Sequence, residues 1–269
     1  FSIKGDRKRM RRSFLIVIVF FLPIIAYTNE QYIQQIKHID ECTRLAEIFT
    51  IDSLGIPGVS TKDLQPEKAK KACFESRKRY PNDPHVLYLF ARTLIADNNT
   101  TGGLKLAKES CKKGDSAGCT LLGWCYDKGI TGKGHNTKKA YRLWLDSCEE
   151  GNPQACHNVA TVIGRNLKYI PKDNQKEKEY FMRACKSGMY VHACTIFADE
   201  VYFGRLLSDA ESYEYALTQS CVSGIKDRCY PLEKYLNEKN DPDKDKKLYD
   251  SYRKACEKGN NRACRMFGQ

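Results

Sequence analysis

"SCKKGDSAGC" at Ser110–Cys119 returns as "SCEEGNPQAC" at Ser147–Cys156 and as "ACEKGNNRAC" at Ala255–Cys264. Two further pairs, Cys185/Cys194 and Cys221/Cys229, complete the series. The first cysteines fall at 111, 148, 185, 221 and 256, in steps of 37, 37, 36 and 35 residues. The partner follows after 8, 8, 9, 8 and 8 residues. A period of this length is the signature of a repeat array, in which each unit buries its apolar face only by stacking on its neighbours.

The positions that recur with the cysteines have one physical reading. Four residues before each first cysteine stand Ala107, Trp144, Phe181, Leu217 and Tyr252, the apolar stripe of a helix. Three residues after it stand Gly114, Gly151, Gly188, Gly224 and Gly259, and glycine ends a helix because it enters the left-handed region without a Cβ penalty. The second cysteine then opens another helix, whose next turn carries Leu122, Val159, Phe197, Leu232 and Phe267. The following residue is small in four of five cases, Gly123, Ala160, Ala198 and Gly268, and is Glu233 in the fifth. Each period is therefore an antiparallel helix pair, and each cysteine pair ties the second helix of one unit to the first helix of the next. The expected fold is all-α, an α/α superhelix stapled by disulfides Cys111–Cys119, Cys148–Cys156, Cys185–Cys194, Cys221–Cys229 and Cys256–Cys264. A zinc site is the competing use of such pairs.

Working upstream, the pattern degenerates but persists. Tyr80–Leu94 reads as a first helix with Pro84 at its start, and Gly103–Cys111 as its partner. Gln65–Ser76 reads as a second helix carrying Cys73, and Gln31–Phe49 as the preceding first helix carrying Cys42, which leaves Cys42–Cys73 as a sixth bridge. Cys125 remains over, with a buried free thiol as the first reading and a reactive thiol or an intermolecular bridge as the alternatives. Thr50–Asp63 is expected to be an irregular stretch covering one end of a groove.

The beginning of the chain explains why thirteen cysteines can be oxidised. Arg11 and Arg12 precede an apolar run from Phe14 to Ala26, the layout of a signal peptide and too short for a spanning helix. Residues 1–28 are read as that signal, with 1–9 as an upstream extension; an uncleaved anchor and twin-arginine export are the alternatives. Residues 29–110 are then the degenerate helix pairs and 111–269 the cysteine-paired repeats, continuous as one solenoid. The destination is secreted or periplasmic, where disulfides are the default state of paired cysteines. The formal charge of +12 falls to about +7 without Lys4, Arg7, Lys8, Arg9, Arg11, Arg12 and Asp6. No basic tract interleaved with aromatics points to nucleic acid, and no stable membrane span is expected.

The unit "CTLLGWCYDKGITGKGHNTKKAYRLWLDSCEEG" at Cys119–Gly151 resembles the Sel-one-like repeat (SLR) family, through Leu122, Gly123, Tyr126, Gly129, Ala140 and Trp144. The paired cysteines resemble the Helicobacter cysteine-rich protein subfamily. The resemblance implies an envelope scaffold whose first helices line a concave face and hold a protein or peptidoglycan-type ligand. For the subfamily it also implies penicillin binding with weak β-lactamase activity.

The residues favour the scaffold. Ser-x-x-Lys occurs at Ser110–Lys113, Ser223–Lys226 and Ser251–Lys254, without the K-T-G and S-D-N elements that complete a serine β-lactamase. No catalytic residue, metal ligand or cofactor is expected. His38, His85, His135, His157 and His192 are scattered, with His157 and His192 expected at surface or capping positions. Trp124, Tyr126, Tyr202 and Phe203 on first helices are core residues or, if exposed, the groove's ligand contacts.

Overall fold

The computed structural model describes residues 30–51, 56–223 and 227–268. The signal-like segment 1–28, Gly224 and Lys226 lie outside the described residues. Within them run fourteen helices and one two-stranded sheet. The helices are α1 (Glu30–Ile33), α2 (Glu41–Ala46), α3 (Pro66–Arg79), α4 (Pro84–Ala96), α5 (Thr100–Lys112), α6 (Ser116–Asp127) and α7 (Thr137–Glu149). They continue as α8 (Pro153–Gly164), α9 (Asn174–Lys186), α10 (His192–Tyr202), α11 (Ala210–Val222), α12 (Cys229–Glu238), α13 (Lys244–Glu257) and α14 (Asn261–Phe267). From α3 onward every helix packs on the next.

Sequence and corner geometry agree closely. Gly114, Gly151, Gly188 and Gly259 all take positive φ, between 72° and 88°, so each ends a second helix in the left-handed conformation. The chain then turns at once into the next helix, and cystines 111–119, 148–156, 185–194, 221–229 and 256–264 close these corners. A sixth cystine joins Cys42 on α2 to Cys73 on α3. Cys125 is a buried free thiol, and burial pushes its pKa up to about 11.

The small position after the second apolar residue is enforced by contact. A Cβ added to Gly123 would stand 2.6 Å from the Trp144 indole nitrogen, which donates to the Thr120 carbonyl at 3.0 Å. Glu233, the exception, is accommodated differently: the Tyr252 hydroxyl donates to its carboxylate at 3.0 Å.

Three expectations change. Gln31–Phe49 is not one helix but α1 and α2, parted where Asp40 caps α2 by accepting from the Cys42 and Thr43 amides. This cap rewards a fresh helix start and breaks the continuous run. Second, the stretch beginning at Thr50 is not wholly irregular: Thr50–Ile51 (β1) pairs antiparallel with Ile56–Pro57 (β2). Third, His157 is no surface residue. It packs among the rings of Phe181, Tyr190 and His192, and burial pulls its pKa down to about 3.

Candidate functional site

The first helices α4, α6, α8, α10 and α12 carry equivalent positions five residues after the second cysteine: Trp124, Thr161, Asp199 and Lys234. Arg92 is their counterpart on α4, two residues after Phe90. Arg92 and Trp124 line one cleft and Asp199 and Lys234 a second, while Thr161 lines neither.

The amino-terminal cleft has a volume of about 210 Å³ and lies between α4, α6, α8 and the described parts of the segment before α3, 46–51 and 56–64, which lie against the first-helix face as a strap. The strap is held by a buried polar hub. Glu47, His85 and Asp115 are at most 2 % exposed. The His85 ring donates from Nδ1 to Asp115 at 3.0 Å and from Nε2 to Glu47 at 2.8 Å. Burial alone would lower the His85 pKa, but the two carboxylates outweigh it and raise it to about 10. Glu47 also accepts from the Tyr32 hydroxyl and from the Ile48 and Phe49 amides. Arg92 adds a second grip, donating to the carbonyls of Ala46 at 2.5 Å and Val59 at 2.6 Å. Gln35, from the loop after α1, accepts from the amide and hydroxyl of Ser116 at the start of α6.

The carboxy-terminal cleft, about 210 Å³, is formed by α10, α11 and α12, and no strap among the described residues lines it. Tyr202, Phe203 and Tyr230 stand in it 58 %, 61 % and 60 % exposed. Lys234 reaches the Tyr202 hydroxyl at 3.4 Å and lies 5.3 Å from its ring centre, and Arg228 is held by both Asp199 oxygens at 3.0 and 3.2 Å. Exposed rings beside charged groups in a concave site are suited to a ligand with apolar and polar parts.

Trp124 and Tyr202, grouped in the sequence, thus serve different clefts. Tyr126 lines neither; it is half-buried, with the Lys139 ammonium 4.3 Å from its ring centre. Of the Ser-x-x-Lys serines, Ser110 and Ser251 are buried. The Ser110 hydroxyl donates to the Pro84 carbonyl at 2.8 Å, and Ser223 to that of Ser220 at 2.6 Å. No group of three His, Cys, Asp or Glu side chains among the described residues could hold a metal ion. Arg92 and Glu47 escaped the sequence reading, and His85 stood there only as one of five scattered histidines; the visible signal was two basic residues in the otherwise apolar run "HVLYLFARTLIA".

No family model matches the chain. Two solved structures do resemble it. A protective antigen of uropathogenic Escherichia coli strains, displaying an SLR fold, matches with a TM-score of 0.53 at 17 % identity over 90 % of this chain and 48 % of its own. A Sel1 repeat protein from Oxalobacter formigenes matches with a TM-score of 0.54 at 18 % identity over 74 % of this chain and 81 % of its own. The fold is the SLR solenoid. The chain spans about half the length of the E. coli antigen.

Proposed function

We propose that this SLR solenoid is an exported scaffold that binds a protein segment on its first-helix face, chiefly in the carboxy-terminal cleft. The observation that carries the reading is the trio of exposed rings, Tyr202, Phe203 and Tyr230, gathered beside Lys234 in an open cleft. Isolated exposed aromatics are ordinary, whereas a concave cluster of them fits a ligand surface. Six cystines held by one chain support export to an oxidising compartment. No helix among the described residues is long and apolar enough to cross a membrane. The corner bridges hold the curvature, so little conformational entropy is lost on binding.

The test is a library of random twelve-residue peptides selected on the oxidised protein and titrated by fluorescence polarisation. Selected peptides are expected to lose at least about tenfold in affinity to the Tyr202→Ala/Tyr230→Ala double variant, as for aromatic anchors of an interface. The melting temperature should stay unchanged. Equal affinity for the variant overturns the assignment of this cleft. A peptidoglycan-type ligand is tested by competition with muropeptides, and turnover of a chromogenic cephalosporin above a mock-purified control would replace the scaffold by a hydrolase.

A further inference from the structure

The amino-terminal cleft carries chemistry of a different kind. Arg92 is 6 % exposed and lines it, yet among the described residues its guanidinium meets only two backbone carbonyls and no carboxylate. Glu47, its near neighbour in the strap, turns its oxygens to His85, Tyr32 and two amides instead. A guanidinium so enclosed, with no counter-ion among the described residues, is costly unless an anion joins it. Two of its five N–H groups are taken by the strap, leaving donors for a further acceptor.

Two more polar residues line the same space. Tyr88, 2 % exposed, lines it from α4. Asn158 lines it from α8. Around them Leu64, Ile95, Leu121 and Trp124 form apolar walls. The cavity volume of about 210 Å³ is below the roughly 300–1,000 Å³ of drug-sized ligand sites, which limits the occupant to a small molecule or a single residue.

We propose that this cleft binds an apolar amino acid bearing a free carboxylate and an acylated nitrogen. The carboxylate pairs with Arg92 and the Tyr88 hydroxyl, the amide meets Asn158, and the side chain lies against Trp124 and Leu121. The same chemistry occurs in a free N-acyl amino acid and at the carboxy-terminal residue of a peptide, and the site is independent of the aromatic cleft.

The test uses the full oxidised chain with N-acetyl-leucine, its primary amide, and a hexapeptide ending in leucine with either a free or an amidated terminus. Binding is followed by calorimetry and by indole emission, in which Trp124 is the half-exposed of the two tryptophans. The free acid is expected to bind with a Kd below about 1 mM, within reach of about a dozen non-hydrogen atoms. Its amide should bind at least about tenfold more weakly, because a charge-assisted pair is lost. If the free-terminus hexapeptide competes as well as the acid, the source is a chain end; if only the acid binds, it is a free small molecule. Arg92→Gln should abolish the acid–amide difference. Because it also loosens the strap, Trp124→Ala is the control: the melt should not move, while affinity for the acid falls by about tenfold. Equal binding of acid and amide, no binding of either at millimolar concentration, or unchanged affinity in Trp124→Ala each overturns the proposal.

Discussion

Helices α4, α6 and α8 each start on an Asp or Asn whose side chain accepts from the first-turn amides: Asp83, Asp115 and Asn152. Helices α10 and α12 start on Val191 and Arg228, with no side-chain cap. The two regions differ throughout in this way. The amino-terminal one encloses three hub residues, takes a strap onto its first-helix face and commits Glu47 and two N–H groups of Arg92 to holding that strap. The carboxy-terminal one leaves its rings in solvent. Bridged corners of one kind therefore serve both regions: side chains spent on self-association fix the array, and side chains withheld from it remain available to a ligand.

The comparison breaks first at the hub. His85→Leu leaves Glu47 and Asp115 buried without their cation and should cost about 3–5 kcal/mol by denaturant unfolding. Tyr230→Ser, an exposed change in the other region, should stay within about 0.5 kcal/mol. Equal losses would mean that the hub does not distinguish the two regions.

Bridges come next. The chain-entropy estimate for the 31-residue separation of Cys42 and Cys73 is about 3.7 kcal/mol, against about 2.5 kcal/mol for the 8-residue separation of Cys221 and Cys229. Double serine variants, compared by urea melts, should keep that order, with the strap's own bridge mattering more than a corner.

A pH series sharpens the contrast further. His85 has a folded pKa raised from 6.5 to about 10, so its contribution is complete below pH 6.5 and is lost as pH rises toward 10. Unfolding free energy should fall across that window with a slope of at most about 1.4 kcal/mol per pH unit, and the slope should vanish in His85→Leu. Cys125, with its pKa pushed up to about 11, stays largely a thiol over the same range, which limits bridge exchange. The smallest effect is at the caps: Asn152→Ala should cost about 1 kcal/mol, whereas Val191→Ala should stay within about 0.5 kcal/mol.

Much of the array was legible before any coordinates, because a corner is a local event. The apolar residue one turn before the cysteine, the glycine after it and the second cysteine all lie within a dozen residues, and each is required by backbone or side-chain chemistry at that spot. Even the 9-residue spacing at Cys185–Cys194 was visible as an irregularity. Its consequence was not: Met189 and Tyr190, in that longer corner, pack against the amino-terminal core, and Tyr190 meets Phe49 edge-on at 5.9 Å. The clefts were half-legible. First-helix aromatics could be found, but whether Trp124 or Tyr126 faces open space depends on neighbours many residues away.

By itself the sequence determined the helix pairs, their corners and the partners that bridge them, since these follow from periodicity, from glycine's access to positive φ and from short loop closure. Only the tertiary structure decided that Glu47, His85 and Asp115 meet although they lie 38 and 30 residues apart, and that a strap closes over Arg92. The physical reason is that a buried charge is tolerated only where partners from distant segments converge on it, and no local pattern records that convergence.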